Sequence, residues 1–226
     1  MASAERHIVA YGGFTGEPAL VEFVLELSGI PRPRVRFLGT AVGDSEWAAE
    51  RFYEQWPSTR CEPVDVPLFG VVDHPNERLL EADVVVVSGG NTANLLAVWR
   101  AHGVDRTISA LWERGVVLAG WSAGAICWFD SGVTDSFGAE LDPIHGCLGL
   151  LGGSMCPHYD SEERRRPVYT RLVREGTLPP GLAVDDSVGL HFVGADLAEV
   201  VTAVPGSAAY RVDCEGETRL DARVLP

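Results

Sequence analysis

The feature that most constrains the fold is an alternation of short apolar runs with amphipathic stretches through the first half of the chain. The most apolar run, Asp83 to Val87, contains four valines in succession. β-Branched residues favour strands, and a run without polar alternation is typical of a strand buried on both faces. Repeated strand–helix units of this kind predict an α/β fold with a mainly parallel central sheet and helices on both sides.

Hydrophobic periodicity assigns the individual elements. Strands are expected at His7–Tyr11, Val35–Leu38, Val64–Phe69, Asp83–Val87 and Val116–Trp121. Helices are expected at Pro18–Leu27, Ser45–Gln55, Asn91–Ala101, Asp105–Arg114 and Ala123–Phe129.

The pattern changes after the fifth strand. Residues Ser131 to Gly153 contain glycine and aspartate without periodicity, which predicts a long irregular loop of functional importance. Beyond it we expect further short elements, namely a strand at Ser154–Cys156, a helix at Val168–Glu175, and strands at Ser187–Val193, Glu199–Val204 and Tyr210–Asp213. No repeat or linker interrupts the sequence, so residues 1–226 are expected to form one domain.

Composition excludes several classes of protein. The formal net charge of −14 argues against nucleic acid or an anionic membrane as the main partner. The apolar fraction of 46% excludes a disordered chain. All 18 basic residues are arginine, which excludes a lysine nucleophile. No apolar stretch approaches the roughly 20 residues of a membrane span.

The cysteines and the amino terminus bear on the compartment. The five cysteines are an odd number without CxxC spacing, which favours free thiols over a disulfide framework or a zinc ribbon. The first residues lack the long apolar core of a signal peptide. We therefore expect a cytoplasmic protein.

The sharpest motif is Gly120-Trp121-Ser122-Ala123-Gly124, a G-x-S-x-G between a predicted strand and a predicted helix. This context is typical of a nucleophile elbow, the tight strand-to-helix turn that exposes a catalytic serine. Glycines two residues before and after Ser122 relieve crowding, and the Ala123 amide could donate to a developing oxyanion. The alternative is a Gly/Ser turn without chemistry.

A second element, Ser88-Gly89-Gly90-Asn91-Thr92, follows the preceding strand. Neighbouring parallel strands deliver their carboxyl ends to one crevice, so the Gly89 or Gly90 amide could supply a second oxyanion donor. This motif also fits a tight turn in which Asn91 or Thr92 caps a helix.

A serine nucleophile needs a base. Of the six histidines, His158 follows a predicted strand directly, whereas His7 lies inside one and His74 and His102 flank helices. His145 in the long loop and His191 in a late strand are further candidates.

These motifs together resemble a known family. Ser88–Thr92 (SGGNT), Gly120–Gly132 (GWSAGAICWFDSG), Val133–Ser136 (VTDS) and Pro157–Asp160 (PHYD) are similar to the peptidase E group of serine peptidases, relatives of the cyanophycinases. The resemblance implies a flavodoxin-like, class I glutamine-amidotransferase-like sandwich. It also implies Ser122 as nucleophile, His158 as base, an oxyanion hole from Gly89 or Gly90 with Ala123, and no metal or cofactor.

The resemblance leaves the acidic member of the triad open. Asp135 matches the aspartate of peptidase E-like sequences, and Glu140 is the nearest match to the glutamate of cyanophycinase-like members. Asp130 and Asp160 are also close in sequence. We rank Asp135 first and Glu140 second.

Substrate specificity follows from the same resemblance. Peptidase E cleaves dipeptides with an N-terminal Asp, which an arginine downstream of the histidine recognises, and Arg164 is nearest that place. Asn91 is a further expected substrate contact. The run from Ser161 to Pro167 also fits a solvated loop.

The leading hypothesis is a serine peptidase, monomeric or homodimeric, acting on short peptides through an acyl-enzyme. One alternative is an α/β-hydrolase-type esterase in which His191 acts with Asp185 or Asp186. Another is a non-catalytic binding protein on the same scaffold.

Overall fold

The computed structural model describes residues 5–14, 16–71 and 73–226. Within these ranges, no helix combines the length and the apolar character needed to cross a bilayer. Met1 to Ala4, at the start of the expected domain, lie outside the described residues.

The described residues form two sheets. Strands of the first sheet, the central sheet, are β1 (His7–Tyr11), β2 (Arg34–Leu38), β3 (Glu62–Asp65), β4 (Val84–Val87), β5 (Val117–Trp121), β10 (Val188–Val193), β11 (Asp196–Thr202) and β14 (Arg223–Val224). Their order is β14-β11-β10-β1-β5-β4-β2-β3, and the five strands from β1 to β3 in this order run parallel. The second sheet contains β6 (Phe129–Thr134), β7 (Asp142–His145), β8 (Leu151–Cys156), β9 (Gly181–Val184), β12 (Ala208–Val212) and β13 (Glu217–Asp221), in the order β13-β12-β9-β8-β6-β7.

Seven α-helices and one 3-10 helix, Thr40–Val42, are found in the described residues. The α-helices are α1 (Pro18–Leu27), α2 (Glu46–Gln55), α3 (Pro75–Leu80), α4 (Thr92–His102), α5 (Val104–Glu113), α6 (Ala123–Ile126) and α7 (Arg165–Arg174). Helices α1 and α2 pack on one face of the central sheet. Helices α4 and α5 share the core on the other face with the second sheet, whose far side is covered by α7.

The valine run of β4 shows why the central sheet is so apolar. Val85 and Val87 belong to the core shared with α4 and α5, whereas Val84 and Val86 belong to the core under α1 and α2. All four are fully buried. Successive side chains of a strand point to opposite faces, so a strand between two cores needs apolar residues at every position.

The fold-class prediction is confirmed, and so are most elements of the first half. Helix α2 is capped by Ser45, which accepts a hydrogen bond from the Ala48 amide. Helix α4 is capped by Asn91, one of the two caps considered, which accepts a hydrogen bond from the Asn94 amide. The third strand was predicted too late, at Val64–Phe69 instead of β3. Its Pro63 is tolerated because β3 lies at the edge of the sheet.

The prediction of one irregular loop from Ser131 to Gly153 was wrong in part. Eleven of its 23 residues belong to β6, β7 and the start of β8, and the helix expected to reach Phe129 ends at Ile126 because Phe129 begins β6. These strands are rich in Gly, Asp and Pro, which have low strand propensity. Pairing with strands that are distant in the sequence determines their conformation, and this pairing leaves no signal in the local hydrophobic periodicity.

The backbone of α6 lies very close to the backbone of β4 and β5 where these three elements meet. A Cβ added to Gly124 would lie 2.9 Å from the carbonyl oxygen of Ser88 and would also collide with the Val87 carbonyl. A Cβ on Gly120 would meet the carbonyl of Gly124. The two glycines of the motif therefore allow α6 to pack directly on the carboxyl end of β4.

We expect Gly124→Ala to lower the free energy of unfolding by about 1–3 kcal/mol, because the added methyl group overpacks this junction. Urea unfolding followed by circular dichroism measures the change. Gly138→Ala is the matched control, since nothing lies within 4 Å of its added Cβ; it should stay within about 0.5 kcal/mol of the parent. Equal stabilities for the two variants would contradict this explanation.

Candidate active site

Ser122 occupies a strained turn between β5 and α6. Its backbone angles are φ 53° and ψ −114°, a region that residues other than glycine rarely adopt. The Ser122 amide donates to the carbonyl of Tyr11 at 3.2 Å, and its carbonyl accepts from the Ala125 and Ile126 amides at 2.9 Å. These bonds fix the turn against the end of β1, so the half-buried serine lies beyond the carboxyl edge of the sheet.

Gly89 brings the end of β4 against this serine. A Cβ on Gly89 would lie 3.2 Å from the Ser122 Cβ and 2.9 Å from the Trp121 ring, so a larger residue does not fit. The amides of Gly89, Gly90 and Ala123 make no hydrogen bond to another described residue. Three free donors thus lie around the serine, at the neighbouring strand ends named from the sequence.

His158 comes from the second sheet. It follows β8 with a positive φ of 55°, and the next amide, of Tyr159, donates to the Val184 carbonyl at 3.1 Å. The Nδ1 atom of His158 lies 2.7 Å from Oδ1 of Asp186. Asp186 follows β9, which pairs in parallel with β8, so adjacent strand ends supply both side chains.

Asp186 is itself held on two sides. Its amide donates to Oδ1 of Asp160 at 2.8 Å, and the next amide, of Ser187, donates to the Gly13 carbonyl at 2.9 Å. A bridge between Gly13 and Asp186 joins this loop to the end of β1. The second sheet is therefore anchored to the central sheet at the point where His158 and Asp186 meet.

The contact with Asp186 fixes the tautomer of His158. The hydrogen bond from His158 lowers the pKa of the Asp186 carboxyl, while partial burial of this group opposes the shift. An ionised carboxylate only accepts hydrogen bonds, so Nδ1 carries the proton and Nε2 is the basic nitrogen. Neither Nε2 nor the Ser122 hydroxyl bonds to another described residue.

Two depressions flank Ser122. The first, which we term the aromatic cavity, has a volume of about 430 Å³ and is lined by Ser122, His158, Asp186, Gly89 and apolar residues that include Phe14, Phe37, Trp47 and Trp121. The second, the polar recess, has a volume of about 310 Å³ and is lined by Gly90, Asn91, Ser122, Asp135, Glu162 and Arg165. Ser122 and Gly90 belong to both.

The predicted carboxylates do not contact His158. Asp135 lies in the polar recess, and the exposed Glu140 forms an ion pair with Arg164. Asp186, and neither of these two residues, contacts the His158 ring. The sequence signal for it was present, because Asp185-Asp186 directly follows a short apolar run just as His158 does.

Of the two predicted substrate contacts, one lines the polar recess and the other lies outside both depressions. Asn91 lines the recess and donates from Nδ2 to the Ser136 carbonyl at 3.0 Å. Arg164 donates to Glu140 and to the Ala139 carbonyl and lines neither depression. The recess cation is instead the buried Arg165, whose guanidinium bonds to Glu162 at 2.6 Å.

The esterase-like arrangement is not formed. His191 is buried in β10, where it bonds to His7 at 3.1 Å and to Glu199 at 3.3 Å. Asp185 accepts from the Ala208 amide at 2.9 Å. Among the described residues, no group of three or more His, Cys, Asp or Glu side chains could hold a metal ion.

Comparison with known proteins identifies the family. Residues 8–200 match the profile of Peptidase family S51. The chain belongs to this family. It is therefore a serine-type peptidase, and the expected likeness to peptidase E is confirmed.

Individual similar proteins extend the comparison. The uncharacterized peptidase YgaJ of Bacillus subtilis (strain 168) is 44% identical over 208 residues, 89% of this chain and 88% of that protein. Peptidase E of Citrobacter koseri is 42% identical over 100 residues, 43% of this chain and 44% of that protein. The crystal structure of a peptidase from an acI-B1 Actinobacterium has a TM-score of 0.71 at 19% identity, covers 97% of this chain and 96% of that one, and so shares the fold.

If Asp186 orients His158, Asp186→Asn should reduce the rate of covalent labelling by a fluorophosphonate about 10³- to 10⁴-fold, because an amide favours the wrong imidazole tautomer. Labelling followed by intact-protein mass spectrometry measures the rate. Asp135→Asn and Glu140→Gln are the matched controls and should react at nearly the parental rate. Loss of labelling in Asp135→Asn with retention in Asp186→Asn would restore the original ranking.

Proposed function

We propose that this peptidase hydrolyses short peptides with Ser122 as nucleophile, His158 as general base and Asp186 as the carboxylate that orients the imidazole. The 2.7 Å contact between His158 and Asp186, beside the cavity that Ser122 also lines, carries this proposal. The positive φ of Ser122 supports it, since backbone strain of this kind is concentrated at functional sites.

The chemistry proceeds in two halves. The Ser122 oxygen attacks the peptide carbonyl while Nε2 of His158 takes the hydroxyl proton. The tetrahedral intermediate breaks its carbon–nitrogen bond, and the imidazolium gives its proton to the leaving amine. Water then attacks the acyl-enzyme while His158 takes a proton from it. The imidazolium gives this proton to the Ser122 oxygen as the ester bond breaks, which regenerates the serine hydroxyl and releases the carboxylic acid product.

Free amides stabilise the oxyanion in this mechanism. Ala123 supplies one donor and Gly89 or Gly90 the other, as their unpaired amides beside Ser122 allow. Donors held in place before the reaction need no reorganisation as charge develops, and losing one side-chain donor in comparable sites costs about 10²- to 10³-fold in rate.

The polar recess favours a substrate with a free amino terminus. Asp135 and Glu162 place two carboxyl groups there, while Arg165, the one cation among the described residues that line the recess, is engaged by Glu162. A carboxylate beside the nucleophile suits the α-ammonium group of a residue whose carbonyl is under attack. This geometry supports exopeptidase or dipeptidase action, with Asp135 as a binding residue.

Preference for an N-terminal Asp stays a prediction. Arg164, its expected determinant, lies outside both depressions, so Arg165 is the better placed guanidinium for such a side chain. The cytoplasmic location and the monomeric or dimeric state also stay predictions.

Ser122→Ala should abolish both fluorophosphonate labelling and peptide hydrolysis, because the covalent intermediate cannot form. Dipeptide cleavage is followed by chromatographic detection of the released amino acids. Ser207→Ala, at a turn that lines neither depression, is the control and should retain full activity. Hydrolysis by Ser122→Ala at the parental rate would refute the proposed nucleophile.

If the recess binds the α-ammonium group, Asp135→Asn should raise KM for dipeptides by about 10- to 100-fold, the usual effect of losing a hydrogen bond to a charged group. Steady-state kinetics on a free dipeptide and on its N-acetylated form measure this. Acetylation should weaken binding to the parent and have little effect on the variant, and Glu140→Gln should behave as the parent. An unchanged KM in Asp135→Asn would refute the role.

A further inference from the structure

The aromatic cavity has a wall that is assembled before any substrate binds. Phe37 stacks on Phe52 with ring centroids 4.6 Å apart and on Trp121 at 6.3 Å, and Phe14 packs against Trp121 at 5.2 Å. Each ring is held by at least one other, so the wall is pre-organised. A volume of about 430 Å³ lies within the range of about 300–1,000 Å³ that is typical of small-molecule sites.

The outer side of this cavity is apolar as well. Val42 and Trp47 line it, although Trp47 is 66% exposed. An exposed indole beside a nucleophile leaves apolar surface in water that a substrate side chain could cover.

Charged groups at the cavity are few and already engaged. Of the ionisable residues that line it within the described chain, Asp186 bonds to His158 and Arg51 pairs with Glu54 at 3.2 Å near the surface. A charged substrate side chain would lose hydration against the aromatic rings without gaining a buried partner.

The position of His158 determines which substrate residue occupies the aromatic cavity. His158 lines the aromatic cavity and not the polar recess. In the proposed mechanism its Nε2 gives the proton to the leaving amine, so the residue that carries this amine lies on the same side of Ser122. The acyl residue then lies towards Asp135.

We propose that the aromatic cavity selects peptides by a large apolar side chain on the residue that follows the scissile bond. This inference rests on the proposed function and adds a substrate class to it, namely short peptides in which an aromatic or branched aliphatic residue occupies the leaving group. Trp47, at the open side, is a specificity-determining residue.

A dipeptide panel tests the inference. The series Ala-Phe, Ala-Leu, Ala-Gly, Ala-Asp and Ala-Lys varies the leaving residue, and a parallel Asp-X series covers an acidic acyl residue. In whichever series is cleaved, we expect kcat/KM with Phe or Leu as the leaving residue to exceed that with Gly by about tenfold or more, because a large apolar side chain fills the apolar cavity. Asp and Lys should be no better than Gly.

Variants of the wall connect this preference to the cavity. Trp47→Ala should lower the Phe-to-Gly ratio of kcat/KM about threefold to tenfold, and Trp47→Phe should restore most of it. Phe69→Ala is the matched control, because Phe69 is also an exposed aromatic residue but does not line the cavity. It should keep the parental ratio.

The outcomes separate this inference from the proposed function. Hydrolysis that depends on Ser122 but favours Gly, Asp or Lys in the leaving residue overturns the inference alone, and so does a ratio unchanged by Trp47→Ala. Labelling of Ser122 without cleavage of any dipeptide also overturns it. Absence of both labelling and cleavage in folded protein overturns the proposed function, and the inference with it.

Discussion

The approach of α6 to the carboxyl end of β4 is the constraint on which the candidate site depends. No side chain fits between Gly124 and the carbonyl groups of Val87 and Ser88, so the chain must leave β5 in a very tight turn. That turn holds Ser122 at a positive φ and brings Gly89 against it. The positions of Ser122 and of the free amide donors are therefore consequences of one packing contact, made where two neighbouring parallel strands end.

The second sheet supplies the histidine and the carboxylate of the candidate site. Adjacent parallel strands β8 and β9 end in His158 and Asp186, and the bridge from Asp186 to Gly13 joins them to the end of β1. The Ser122 amide is bonded to Tyr11 at the end of the same strand. The end of β1 thus serves as a common support for both halves of the site, so their relative position is fixed by backbone hydrogen bonds and not by side chains alone.

The sequence predicted the first half of the fold well because its signals are local. The valines of β4, the caps at Ser45 and Asn91 and the glycines around Ser122 each act within a few residues. The strands of the second sheet and the partner of His158 depend on contacts between distant segments. Asp135 was favoured by resemblance to a family motif, yet chain proximity to the serine does not determine which carboxylate reaches Nδ1, and Asp186 reaches it through the pairing of β8 with β9.

A crystal structure of the protein inactivated by a phosphonate would test the central claim most directly. The account predicts phosphorus bonded to the Ser122 oxygen, with one phosphonate oxygen within hydrogen-bond distance of the Ala123 amide and of the Gly89 or Gly90 amide. His158 should stay bonded to Asp186 with Nε2 directed at the adduct. An adduct whose oxygen contacts none of these amides, or a His158 paired with another carboxylate, would contradict it.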